Sequence, residues 1–297
     1  MATNELNAPR TGGGSERSLA SNRRVRNQVL LYIVLVAALI PFIFPLYWLA
    51  TGIFKVPSEL TEIPPTWWPH VWSLTNFENL FHTQGSNLLQ YAKNTVYISV
   101  FTTVATVVSS SLAAYAFAQC RFWGRDILFW TVIITLILPA WATIIPQYQL
   151  FRALGWLGTL RPLTWPTLVG DPFTIFLLRQ YMMTIPTDFG EAARVDGANE
   201  FQIYLRIVMP LVKPALAVAA VFAFVYSYNN FFGPLIYLTN PANYTLSLGV
   251  YQFIQLHGQP DIAEIVAYTA LLVAPLIILF AITQRWIVQG IRLTAER

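Results

Sequence analysis

Residues 188–210 read DFGEAARVDGANEFQIYLRIVMP, the most charged stretch of an otherwise apolar chain. Hydrophobic segments flank it on both sides, so a chain that crosses a bilayer must present it at a membrane surface. Its local chemistry spells helix, break, helix. Asp188 is placed to cap the first helix, with Glu191 three residues on completing a capping-box-like pair, and Ala192, Ala193 and Arg194 are strong helix formers. Gly197 after Asp196 is the expected left-handed stop, and Asn199 followed by Gln202 is a second start signal. In a helix that begins there, Phe201, Tyr204, Leu205 and Val208 share one face, and Pro210 and Pro214 bracket its passage into the next apolar run.

Composition supplies the membrane. Of 297 residues, 56% are hydrophobic and 11% charged, with a mean hydropathy of +0.52, the profile of a polytopic membrane protein. The net charge of +4 follows membrane sidedness and is no argument for nucleic acid. A single cysteine, Cys120, excludes an internal disulfide, and no Cys/His cluster points to a metal.

Read in order, residues 1–28 form a flexible basic tail with Gly12, Gly13 and Gly14 ahead of Arg17, Arg23, Arg24 and Arg26. The apolar run Val29–Phe54 is too long for a signal-peptide core and reads as a retained first span, bent at Pro41 and Pro45. Lys55–Leu89 is rich in proline and in Trp67, Trp68 and Trp72, which suit a water–lipid interface on the outside. A second span covers Asn94–Gln119 and ends in the basic turn RFWGR, and a third runs from Ile127 to about Leu150, interrupted by Pro139 and Pro146. Gly155–Arg179 is interrupted by Pro162, Pro166, Gly170 and Pro172. Asp171 as N-cap with Pro172 at the first helical position starts a half-helix over Phe173–Met183. Pro214–Leu238 is the fifth span, Asn240–Gln259 a short loop, and Ile262–Ile287 the sixth.

Basic residues fix the sidedness. With the amino terminus inside, fourteen Lys and Arg lie in inner segments, against four outside, Lys55, Lys93, Arg152 and Arg161. The reading is therefore an all-α membrane protein of six transmembrane helices, both termini cytoplasmic, with the 188–210 segment on the inner side between spans four and five.

Several chemistries are missing. No GxxxxGK[ST] cradle occurs, so the chain does not hold ATP in that way. A secondary transporter driven by an ion gradient needs ionisable groups within its spans, and Asp171 is the sole acid at plausible depth. His70, His82 and His257 fall in outer loops without ligand spacing, which leaves no catalytic constellation and no metal set. In the fifth span Tyr226, Asn229, Asn230 and Gly233 recur at helical spacing, a polar-aromatic stripe with two readings. Amides and an aromatic face suit a sugar, and asparagines equally join neighbouring helices.

Glu191-Ala192-Ala193, three residues, Gly197, nine residues, then Ile207-Val208-Met209-Pro210 resembles the EAA signature of ABC-importer permease subunits, with Met209 in place of leucine. Ser110–Ala116, the RFWGR turn, Ile175–Gln180, Ile185-Pro186 and Asn229–Leu235 are similar to maltose-type carbohydrate permeases. Gly190 and Asn230 depart from that pattern, where a helix-favouring polar residue and an aspartate are common. The resemblance implies a permease domain over 29–297 in a bacterial-type cytoplasmic (inner) membrane, multi-pass, and no enzyme activity of its own. It implies that residues 188–210 are a coupling helix docking on an ATP-hydrolysing subunit, through Glu191, Ala192, Ala193, Arg194, Asp196 and Gly197. The implied partners are a second permease subunit, two cytoplasmic ATPase subunits, an extracytoplasmic solute-binding protein, membrane lipid and a carbohydrate. No cofactor is expected in this chain, with ATP and magnesium on the ATPases. Tyr226, Asn229, Asn230 and Asp171 are the pathway candidates. Tyr251, Gln252, His257 and Gln259 are candidates for a loop that probes the binding protein. The alternatives are an ion-coupled secondary transporter or a membrane scaffold subunit.

Overall fold

The computed structural model of the chain describes residues 13–82, 87–257 and 262–295, and every regular element among them is helical. They fall into two compact units, Met1–Leu74 and Thr75–Arg297.

In the first unit a single helix α1 occupies Gly13–Gly52, so helix already begins inside the stretch read as a flexible tail. Its apolar part, Arg26–Gly52, is long enough to cross a bilayer. After the short α2 (Pro57–Leu60), the tryptophan-rich segment is tied down by polar contacts. The Glu59 carboxylate accepts the Val71 N–H at 3.3 Å and the His70 N–H at 3.2 Å, and Tyr47 Oη donates to the Trp67 carbonyl at 2.6 Å. Buried Lys55 donates to the Thr66 carbonyl and sits 4.2 Å from the centre of the Trp48 ring. Trp67, Trp68 and Trp72 stay exposed.

The second unit comprises α3 (Thr75–His82), α4 (Leu88–Gln119), α5 (Arg125–Thr135), α6 (Ala140–Ala153), α7 (Arg161–Thr164), α8 (Pro172–Met182), α9 (Asp188–Val195), α10 (Glu200–Ile203), α11 (Met209–Tyr228), α12 (Phe232–Tyr237), α13 (Leu246–His257) and α14 (Ile262–Ala295). Its axis is α4, against which both α8 and α11 pack. The reason is a stripe of small polar residues, Thr95, Ser99, Thr102, Thr106 and Ser110, all buried. Small side chains let neighbouring backbones approach closely inside a membrane. The Thr95 and Thr102 hydroxyls return hydrogen bonds to the carbonyls of Tyr91 and Ile98, both at 2.8 Å, so these groups are satisfied within the helix.

Among the described residues four helical segments are long and apolar enough to cross a membrane: Arg26–Gly52, Leu88–Gln119, Glu200–Tyr228 and Ile262–Gln284. The interruptions read at Pro139 in span three and from the prolines in span four are present. Between α5 and α6 the chain leaves the helix at Leu136–Pro139, where the proline supplies no N–H and restrains the residue before it. Span four divides into α7, a 3₁₀ turn over Trp165–Val169, and α8.

The fifth span differs more. Helix runs without interruption from Glu200 through a π turn at Tyr204–Val208 to Tyr228, so the second half of the 188–210 segment is the foot of a span and not a separate helix ahead of it. Pro210 explains the π turn: its ring clashes with the carbonyl four residues earlier, and a wider turn makes room. The expected face is split between core and surface. Tyr204 and Val208 are buried, and Phe201 and Leu205 are exposed.

The stretch 240–259, read as a loop, carries α13. Leu246 and Phe253 of this helix are buried with Leu88, Tyr91, Ala267 and Tyr268. Gly249 makes that packing possible, because a Cβ there would lie 2.3 Å from Tyr268 Oη and 2.5 Å from the Tyr91 ring. Gly249→Ala should therefore lower stability by about 1–3 kcal/mol, the usual scale of overpacking. Thermal unfolding in detergent would read this as a lower transition temperature, and an unchanged one would mean that α13 is not held there.

Candidate functional site

The segment 188–210 is ordered by its own capping chemistry. Thr187, not Asp188, is the N-cap residue of α9; Asp188 and Glu191 are its first-turn acids, where negative charge favours the helix dipole. At the other end Asp196 is the C-cap and Gly197 has φ +85°. The Gly197 N–H donates to the Arg194 carbonyl at 3.1 Å and the Ala198 N–H to the Ala193 carbonyl at 2.9 Å, the paired bonds of a Schellman stop. Asn199 and Gln202 then form a reciprocal capping box, both bonds at 2.9 Å. The Gly197 stop and the Asn199–Gln202 box operate where the sequence places them, and the Asp188–Glu191 pair does not, because no side chain caps the start of α9.

Ala193 and Ala198 pack on a buried cluster that includes Ala114, Tyr115, Leu178, Met182, Ile203 and Tyr204. The opposite side of the loop faces outward. Glu191, Ala192, Asp196 and Gly197 are exposed there, with Val195 at 88% and Phe201 at 62%. Glu191 has no ion-pair partner among the described residues. Arg194, by contrast, is committed within the chain: its Nε lies 2.7 Å from Glu200 Oε1 and its Nη2 3.3 Å from Oε2. Glu200 was not among the residues singled out from the sequence. It also receives the Tyr115 hydroxyl, at 2.7 Å, from α4. One helical turn away, Ser111 Oγ and Tyr204 Oη are 2.8 Å apart. Gln119 and Arg179 add bonds to the carbonyls of Met182 (2.9 Å) and Phe117 (3.3 Å), which tie the ends of α4 and α8 together.

Cys120 caps α4 beside this network, its Sγ 3.8 Å from Glu200 Oε2. Burial, and then the Glu200 carboxylate, push its thiol above the ordinary value. A raised pKa means less thiolate at any pH below it, so alkylation should be slow at neutral pH and gain speed as pH rises. Glu200→Gln should speed the reaction at fixed pH by removing the nearby negative charge. Cys120 is the sole cysteine, so the rate of maleimide labelling of the intact chain reads this directly; equal rates with and without the carboxylate would contradict the placement.

The pathway candidates separate. Asp171 is the N-cap of α8: its Oδ2 accepts both the Thr174 N–H and the Thr174 hydroxyl at 2.7 Å, and its own N–H donates to Ser110 Oγ at 2.9 Å. Phe173 of α8 meets Phe222 of α11 with ring centres 6.1 Å apart, one turn before Tyr226. Tyr226 is 78% exposed. The stripe does not continue as a helical face, because α11 ends at Tyr228. Asn229 is its C-cap, and Asn230 Oδ1 accepts the Gly233 N–H at 3.0 Å at the start of α12. Asparagine side chains compete for backbone groups in this way, which is why they end helices more readily than they extend them. Of the proposed probing loop, Tyr251 and Gln252 lie on α13, and Tyr251 packs against Phe231 at 5.6 Å. Gln259 and the side chain of His257 lie outside the described residues.

Residues 105–293 match the family described as binding-protein-dependent transport system inner membrane component. The chain belongs to this family. Among curated proteins it is 31% identical to the arabinooligosaccharides transport system permease protein AraQ of Bacillus subtilis, over 84% of this chain and 89% of that one. It is also 31% identical to the sn-glycerol-3-phosphate transport system permease protein UgpE of Yersinia enterocolitica, over 92% and 98%. Among solved structures, a chain of a bacterial ABC transporter involved in the import of the acidic polysaccharide alginate shares the fold. Its TM-score is 0.75 at 23% identity, with 95% of this chain and 99% of that one covered. This family member is thus a multi-pass inner-membrane component of a binding-protein-dependent transport system, and the 188–210 segment lies within the matched region.

Proposed function

We propose that this permease forms half of the pathway of an ATP-driven carbohydrate importer, and that α9 is the helix through which it is driven. The observation that carries the reading is the contrast at the loop. Its inner side is fixed by alanine packing and the Arg194–Glu200 pair, and its outer side offers the Glu191 carboxylate, without an ion pair among the described residues, beside exposed Val195 and Phe201. Such a rigid, part-apolar surface suits docking on another protein. Glu191 is the anchor, Ala192 and Ala193 allow close approach, and Gly197 turns the chain back to its span. Asp196 is a rim contact.

In this reading six membrane passages, two of them broken, put both termini and the loop in the cytoplasm. The partners are a second permease, two ATPases carrying ATP and magnesium, and an external binding protein. Carbohydrate as cargo is supported by the name of the arabinooligosaccharide relative and by exposed Tyr226 and Asn229 at the end of α11. The ion-coupled alternative is weakened by Asp171, whose carboxylate is engaged in capping α8. Purified from a bacterial membrane with its partners, the chain should retain ATPase subunits whose hydrolysis rises when a sugar-loaded binding protein is added. Hydrolysis indifferent to the loaded binding protein contradicts the proposal.

A further inference from the structure

Two side-chain hydrogen bonds join α4 to the foot of the Glu200–Tyr228 helix where the two cross. Ser111 and Tyr115 are four residues apart on α4, and Glu200 and Tyr204 are four apart on the other helix. Their pairing runs antiparallel: Ser111 with Tyr204 at 2.8 Å, Tyr115 with Glu200 at 2.7 Å. Residues four apart stack on one helix face, so the two bonds are rungs of one short ladder. The Tyr115 and Tyr204 rings fill the space between the rungs, with centres 5.4 Å apart. Ser111, Tyr115 and Tyr204 are buried, and the Glu200 side chain, half exposed, closes the ladder at its wet end. Its carboxylate also holds the Arg194 fork, so the same group joins α9, α4 and the span.

We propose that this two-rung clamp is the joint that carries movement of the loop into α4, with Glu200 and Tyr115 as positioning residues. The inference rests on the coupling role proposed above for α9. Apolar packing is non-directional and allows helices to slide or rotate against each other. Hydrogen bonds at two points one turn apart do not, because either motion leaves a buried hydroxyl or a carboxylate without its partner. A push on α9 therefore reaches Glu200 through Arg194 and turns α4 together with the span. The π turn begins at Tyr204, so this rung of the clamp sits where the helix widens, and the Glu200 rung lies one turn before it in α10.

The test uses the assembled transporter in proteoliposomes with ATP on the ATPase side, comparing wild type, Tyr115→Phe, Glu200→Gln and the double variant. Tyr115→Phe deletes one hydroxyl and keeps the ring, so it preserves the packing beneath the loop. Uptake per ATP hydrolysed should fall in each single variant on the order of tenfold, the scale of a hydrogen bond to a charged group. ATPase retained by the Tyr115→Phe complex should equal wild type. The double variant should be no worse than the more affected single one, since both changes act on the same rung, one by removing the donor and the other by removing the acceptor's charge. Full coupling in Tyr115→Phe, or losses that multiply in the double variant, would overturn the clamp while leaving the importer reading intact. A wild-type complex whose hydrolysis ignores the loaded binding protein would instead sink the importer reading, and the clamp with it.

Discussion

Gly197→Val should abolish uptake while the chain still inserts in the membrane. The reason is local: Gly197 sits at φ +85°, and a side chain in that region costs roughly 1–2 kcal/mol of backbone strain. No atom lies within 4 Å of where its Cβ would be, so the cost comes from conformation and not from crowding. Relieving the strain opens the Schellman bonds to Arg194 and Ala193 and swings α9 away from its seat. Gly197→Asn is the matched control, because asparagine enters the left-handed region readily and should retain most of the uptake. Uptake by Gly197→Val equal to wild type would mean that the left-handed stop plays no part in coupling.

Glu191→Ala should have an effect as large by a different route. The carboxylate is exposed and unpaired among the described residues, so the isolated chain loses little with it. In a docked complex the same carboxylate becomes an interfacial charge, and truncating one partner of such a pair costs on the order of 2–5 kcal/mol of association. The measurement is the amount of ATPase recovered with the purified permease, alongside uptake. Both should collapse for Glu191→Ala. Asp196→Ala, at the edge of the same surface, should leave most of each. Undiminished recovery of ATPase with Glu191→Ala would remove Glu191 from the interface.

What the sequence revealed here, and what it hid, follows from the range of the interactions. The Gly197 stop, the Asn199–Gln202 box and the Asp171 cap each act over three residues or so, and each was readable from residue type and spacing. The Glu200–Tyr115 bond joins positions 85 apart in the chain, and no local pattern marks it. Arg194 was placed among the docking residues because its partner could not be seen. The asparagine stripe failed for another reason: apolar periodicity was extended through Asn229 and Asn230, residues that cap helices better than they continue them. In α13 the signal was present, with Leu246, Val250 and Phe253 at helical spacing, but the polar neighbours Gln252, Gln255 and His257 masked it. The exposure of Phe201 and Leu205 follows from which face the cluster around Ile203, Tyr204 and Val208 buries, a tertiary fact that spacing alone does not carry.

The central claim is that ATP hydrolysed by partner subunits drives this permease through the 188–210 loop. The most direct test is uptake of labelled sugar by proteoliposomes holding the purified importer, supplied with its loaded binding protein, with ATP or with an imposed proton or sodium gradient. Uptake should require ATP, ignore the gradient and disappear in Glu191→Ala. Uptake driven by the gradient without ATP, and unchanged in Glu191→Ala, would contradict the account.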